Sequence, residues 1–386
     1  MTILLKGITW DHPRGFDPLV ATSESFSKNH GDIEFHWAKR SLKSFGESSI
    51  EDLADEYDLL LVDHPFMGEA HKKHLLVPLE EQLSAEFLAE QRTNSVGPSF
   101  DSYRYGGHQF ALPIDAAAQV AAYREDLLEW SKVGLPQSIQ DIYSLGNRLQ
   151  GTSRVLWPLG PTDLWCSFLS LCAQLSRGEF IDLATGLDIQ VGRKVMEEFK
   201  ALLPLLHEQS LDFNPIQALD AMQERDDIAY VPMLFGYCSY SLPQSERPVI
   251  RFTNPPCYPG AEKTSLLGGV GLAISARSAH RVEAAEYLTF VLSPDVQQGE
   301  YFANNGQPGH LSAWKSPRVN QCCSHFFRTT LETLENAYVR PRMPGFHDFQ
   351  ESAGALLHEA LSKNTPTDKT MNALNERFCR RCTRSE

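Results

Sequence analysis

Short apolar runs alternate with stretches of helical periodicity over the first hundred residues, the signature of βαβ units that lay down a parallel sheet. Ile3 to Ile8 reads as a buried first strand. Asp17-Pro18 supplies an N-cap and a first-turn proline, so a helix is predicted from about Pro18 to Asn29. Ile33 to Trp37 follows as a strand, Ser49 to Glu56 as a short helix, Leu59 to Val62 as a buried strand and Met67 to Leu75 as the helix returning from it.

The rhythm breaks at Gly107 to Asp115, where Pro113 interrupts a strand and a run of alanines follows, a pattern suited to a crossing between lobes. Gln119 to Tyr123 reads as strand; Arg124 to Ser131, Ser138 to Leu149, Asp163 to Leu175 and Val191 to His207 read as helices. Ile228 to Tyr237 is a buried strand running into an aromatic loop, and Ser245 to Lys263, rich in proline and charge, is a surface loop. Leu267 to Ser275 is a glycine-rich strand suited to a second crossing. His280 to Leu292 is helical, and Ser293-Pro294 caps a helix that stops near Asn305-Gly306.

At 386 residues the chain has room for two to three domains and a sizeable core. The net charge of −14 repels phosphate backbones and argues against nucleic acid as a partner. No apolar run reaches the roughly 20 residues of a membrane span. Met1 to Gly7 enters a strand pattern without an export signal, so the expectation is a cytoplasmic protein, or a periplasmic one if a preceding signal was removed. Eight cysteines, two of them adjacent (Cys322, Cys323), form no regular extracellular framework and favour a reducing compartment. Cys379 and Cys382 lie in a polar tail that reads as a solvated terminus rather than as a zinc or redox site.

The order of segments resembles the extracellular solute-binding proteins of ABC transporters, in particular the sugar-binding, maltose-binding-protein-like group. The resemblance is carried by Gly107 to Leu128 and by Gly269-Val270-Gly271-Leu272-Ala273-Ile274-Ser275, Glu283 to Leu288, Ser293 to Gln298 and Gly306-Gln307-Pro308-Gly309. It implies an α/β, two-lobed, periplasmic-binding-protein-like type II fold that hinges shut on a ligand in the interlobe cleft. Lobe one is placed at 1–112 plus 267–307 and lobe two at 113–266 plus 308–386. The resemblance implies no cofactor, a small-molecule ligand and, if the protein is exported, an ABC permease as partner.

Two triplets could carry chemistry: Asp11-His12-Pro13 after the first strand and Asp63-His64-Pro65 after the third. Both stand at carboxyl ends of strands, where open α/β sheets bind ligands. Trp10, Asp11, His12, Arg14, Asp63, His64 and Phe66 are the ligand contacts expected from this lobe, and Asp115 the contact or hinge cap at the first crossing. Trp157 and Tyr237, beside Pro and Gly in loops, are expected to line the other wall, with Gly269 at the second crossing; Trp165 is expected in the core. The segment Tyr338 to His347 resembles a family segment that reaches the cleft, with Arg342 facing a ligand carboxylate or phosphate and Arg340 the surface residue. Arg14 and Arg342 together would favour an acidic ligand such as a sugar acid; each has the alternative of pairing with a structural carboxylate.

The expectation is therefore a solute-binding protein for a small polar, sugar-like ligand. The alternative is a cytoplasmic, cofactor-free lyase or isomerase on the same fold, using Asp11, His12, Asp63 and His64 in acid-base chemistry on a hydroxylated acid or thioester. An intracellular sensor that reports its ligand by closure is a third reading. Two Asp and two His as a metal site is weaker still, because no local spacing sets their geometry.

Overall fold

The computed structural model describes residues 2–41, 49–131, 134–149, 154–243, 246–261 and 264–382. Its frame is one eight-stranded sheet that runs through both lobes. Strands β1 (Ile3–Trp10), β2 (Ile33–Arg40), β3 (Leu59–Val62), β4 (Leu112–Tyr123), β5 (Arg154–Val155), β6 (Ile228–Phe235), β7 (Arg251–Thr253) and β8 (Leu267–Ile274) lie in the order β2-β1-β3-β8-β4-β6-β5, with β7 added to β4. The parallel trio β2-β1-β3 is the sheet that the alternating pattern predicts. Pro113 is accommodated where the β4–β8 register shifts, between Val270 and Gly271.

Seven helices position the site: α1 (Pro13–Asn29), α2 (Met67–Lys72), α3 (Pro161–Ser176), α4 (Arg281–Val291), α5 (Phe326–Glu335), α6 (Phe346–Ser362) and α7 (Thr367–Cys382). Two predicted boundaries are corrected. Helix α1 starts five residues before Pro18, because Pro13 already takes the first helical position and His12 caps it, its ring nitrogen accepting the Arg14 N–H. The tail is no solvated terminus: α7 packs against α6, and Cys382 is buried in the core of lobe two. The predicted loop 245–263 holds β7, with Ser245, Glu262 and Lys263 outside the described residues.

Each lobe has its own core. In lobe one Leu5, Leu19, Phe26, Leu59 and Leu61 pack on Tyr287 and Leu288 of α4. In lobe two Phe168 and Leu169 of α3 meet Phe349 and Leu357 of α6, and a second cluster joins β4 and β6 to Trp314, Phe326 and Phe327.

At the crossing, β4 and β8 approach closely at Gly269, whose φ is +94°. A Cβ there would stand 2.4 Å from the Asp115 carbonyl oxygen and 2.8 Å from Ala116 Cα. Gly269 is thus a packing position between crossing strands. Gly269→Ala combines a left-handed backbone with a backbone clash and should cost about 2 kcal/mol or more. Urea unfolding measures it, and an unchanged midpoint would show that the strands can part without loss.

Candidate functional site

The loop after β1 meets the loop Gly236–Tyr237 after β6 through Arg14, and the loop after β3 meets the segment around Arg340. The base of the cleft is a buried ion pair. Arg14, placed by the first turn of α1, forks onto Asp115 of β4 (Nε to Oδ2 2.7 Å, Nη2 to Oδ1 2.5 Å) and donates through Nη1 to the Gly236 carbonyl at 2.8 Å. Arg14 and Asp115 are 3% and 1% exposed. Burial opposes the Arg14 charge, but the Asp115 carboxylate outweighs it and holds the guanidinium protonated. Burial pushes Asp115 up while Arg14 pulls it down. Arg14 also lies over the Tyr237 ring, 4.5 Å from its centroid.

Gln307 completes this base, accepting the Cys238 N–H and donating to the carbonyls of Ala116 and Gly236. It stitches β4 and the loop after β6 to its own segment. Nothing but its place in Gly306-Gln307-Pro308-Gly309 marks it in the sequence.

A second ion pair spans the lobes. Asp63 caps its own turn by accepting the His64 N–H, and Arg340 Nη2 reaches both its carboxylate oxygens at 2.7 and 2.6 Å. Burial would raise the Asp63 carboxyl, but Arg340 and then His64 hold it far below the usual range. The two arginines exchange their expected roles. Arg340 is 4% exposed and buried in this pair, whereas Arg342 donates Nη1 to the carbonyls of Asp101 and Ser102 on lobe one. Arg14 is committed to a carboxylate, whereas Arg342 commits Nη1 to two carbonyls and has no carboxylate partner within ion-pair distance among the described residues.

The other expected residues divide. His12 faces the cleft: its ring stands edge-on to Tyr237 at 5.0 Å, and burial, then Arg14, lowers it to about 4 against the pull of Asp11. Asp11 is exposed and pairs with Lys39 at 2.8 Å. His64 is sealed at 0% exposure, with Nδ1 3.1 Å from Asp63 Oδ1 but out of line for a hydrogen bond; burial, then Arg340, lowers it to about 4. Both imidazoles are therefore neutral at pH 7, and among the described residues no contact joins the two triplets.

Trp10 is a correction, since its ring packs over Gly15 in the lobe-one core. Trp157 is another: at 0% exposure it stacks edge-on to Phe199 and donates its indole N–H to Ser167, a contact that the Pro-Gly loop around it does not announce. Phe66 is buried against the His347 ring at 4.1 Å, which makes it an interlobe contact. Trp165 lies in the core, as expected.

Sequence reasoning passes over Asp163, which reads as an ordinary first-turn acid. It occupies the third position of α3, whose N-cap is Gly160 and carries no side-chain cap. Among the described residues its carboxylate has no hydrogen-bond or ion partner. Burial alone pushes it up to about 8, and no cation pulls it back. Its charge acts on Tyr237 and on Cys166 of the next turn of α3. The first turn of α3 thus offers backbone donors without a side-chain cap and one acceptor.

No group of three or more His, Cys, Asp or Glu stands close enough to hold a metal ion among the described residues, and no helix there is long and apolar enough to cross a membrane.

The family model of bacterial extracellular solute-binding proteins matches residues 17–298. Among solved structures, maltose-bound MalE3 of T. maritima superposes with a TM-score of 0.84 at 20% identity, covering 97% of this chain and 98% of its own. An ABC transporter solute-binding protein of Agrobacterium radiobacter K84 in complex with ribitol gives 0.82 at 19%, with 97% of each chain covered. Another from Thermotoga lettingae, bound to α-D-tagatose, gives 0.83 at 14%, covering 97% and 98%. At these identities the likeness is one of fold.

Proposed function

Because the chain belongs to the bacterial extracellular solute-binding proteins, which bind substrates rather than transform them, we propose that it closes its lobes on a sugar or polyol and presents it to an ABC permease. The lobes divide at 1–112 plus 267–307 and 113–266 plus 308–386. Support comes first from the start of α3. There the uncapped N–H groups of the first turn suit hydroxyl oxygens and the Asp163 carboxyl suits hydroxyl hydrogens, and the Asp163 charge is felt at Tyr237, whose ring stands beside His12. The solutes in the similar structures, maltose, ribitol and tagatose, are of this class. With Arg14 and Arg340 each neutralised by a carboxylate, neither is left to hold an acid, and the ligand favoured is polyhydroxylated. Contacts come from His12, Asp163 and Tyr237, with Asp11 at the mouth.

A panel of neutral sugars and polyols tests this. A member present at about 100 times its Kd should add about 2.7 kcal/mol to stability, read as a raised melting temperature. The same member should contract the protein in X-ray scattering. If no sugar or polyol gives either change, the reading is wrong.

A further inference from the structure

Cys379 and Cys382 stand three positions apart in the last turn of α7, so their side chains share one face, and a helical side chain leans back over the turn before it. Helix geometry sets their Cα atoms about 5 Å apart, inside the span that a disulfide bridges. Cys382 is 7% exposed and packs in the lobe-two core, whereas Cys379 is half-buried, with Sγ 3.9 Å from Asn375 Oδ1. Burial pushes the Cys382 thiol up to about 12 against the pull of Arg381, and Cys379 adds to the rise, so the two thiols lie close enough to interact.

We propose that Cys379 and Cys382 form a reversible disulfide by exchange with a small-molecule disulfide, and that the bond loosens the segment 340–347 from lobe one. The half-buried Cys379 reaches the oxidant first: its thiolate attacks one sulfur, releases one small thiol and holds the other half as a mixed disulfide. Cys382 then gives its proton to solvent and displaces the second thiol. Two protein thiols lose two electrons and two protons, and the sulfur–sulfur bond of the oxidant takes them up as two thiols.

The bond cannot form on a regular helix. Cβ atoms three positions apart stand about 5–6 Å from one another and a disulfide needs about 3.5–4.5 Å, so the last turn has to shift by about 1–2 Å. A bond closed at that cost is strained and readily reduced, which suits a reversible site. Arg381 lies inside the turn that moves, and its carbonyl abuts α6: a Cβ at Gly345, the N-cap with φ +83°, would meet it at 2.7 Å. The Arg381 guanidinium stands 3.8 Å from Asp348 in the first turn of α6. Close-packed backbone passes on such a shift rather than absorbing it.

The stretch that runs through Gly345 is the one that holds lobe two to lobe one. Arg340 grips Asp63, Arg342 donates to the Asp101 and Ser102 carbonyls, the Arg342 backbone packs on Gly68 of α2, and the His347 ring lies against Phe66. The bond requires no solute, so its fate and that of the cleft reading are decided separately.

The experiment takes the full chain with Cys322→Ser, which removes an exposed thiol, reduces it, and equilibrates it with excess oxidised glutathione and no solute. Remaining thiols are alkylated in denaturant before digestion with trypsin, which cuts after Arg380 and Arg381, so that fragments carrying Cys379 and Cys382 stay joined only through sulfur. The expected result is the joined pair of fragments, two alkylatable thiols fewer than in the reduced chain, their return on adding a dithiol reductant, and faster amide exchange across residues 342–347 in the oxidised form. Cys379→Ser should abolish both the bridge and the faster exchange. Cys382→Ala, read alongside for melting temperature, should do the same from the buried side. Both thiols still alkylated, or glutathione held on Cys379 without a bridge, overturns the disulfide. A bridge with unchanged exchange across residues 342–347 overturns the link to the lobes, and exchange that quickens equally in Cys379→Ser overturns the assignment to this pair.

Discussion

Arg14→Met should destabilise the chain by about 3–5 kcal/mol, the usual cost of breaking a buried ion pair from one side. The substitution leaves Asp115, at 1% exposure, without its two hydrogen bonds, and leaves the Gly236 carbonyl with only the weaker Gln307 donor. Charge itself is not what stability requires. Arg14→Met with Asp115→Leu removes both desolvated groups and should recover most of the loss, because two apolar side chains of similar volume often replace such a pair without penalty. Urea denaturation of the four proteins in the cycle measures the coupling. A loss below about 1 kcal/mol in the single variant, or an additive double variant, would show that the pair is not a unit.

Acid should expose a second buried group. His64→Phe should lie about 3 kcal/mol higher relative to the parent at pH 4 than at pH 7. The sign follows from where the proton goes. Burial, then Arg340, holds folded His64 near 4, while in the unfolded chain it titrates near 6.5. Above 6.5 neither state binds the proton; between 6.5 and 4 only the unfolded state does, so the parent's stability drains away as the pH falls through that window. Phenylalanine has no proton to bind and keeps the shape of the ring against Tyr103. Comparing the two proteins cancels the titrating groups that do not touch the ring; Asp63, which does, is still held far below the usual range by Arg340. A difference that stays flat from pH 7 to pH 4 would mean that water reaches the imidazole.

Much of the fold was legible because it is written locally. Leu59 to Val62 and the glycine-rich run from Leu267 are continuous apolar stretches, and Ser49 caps its helix where a serine before an acidic turn should. The start of α1 was misread because Pro13 and Pro18 both fit a first turn and only the fold chooses between them. The cleft was legible in outline, since loops after parallel strands can hardly avoid it, and His12 does meet Tyr237. Its inner assignments depend on distance along the chain. Arg340 and Arg342 are near-identical neighbours in sequence, yet the partner that buries Arg340 lies 277 positions away. Trp157 shows the same limit, because Phe199 and Ser167 fill its surroundings from helices that the loop sequence does not contain. Asp163 went unremarked because an acid in a first helical turn is ordinary until its isolation in the fold is seen.

Strand β4 belongs to both halves of the molecule. Its first residues pair with β8, which in turn pairs with β3, and its last residues pair with β6 and β7. Melting either half strips backbone hydrogen bonds from the same strand, so neither half keeps a complete ladder when the other is lost. Two bodies that swing apart as a machine are in this respect one cooperative unit when heated, and a solute gripped at the junction defends both against unfolding at once.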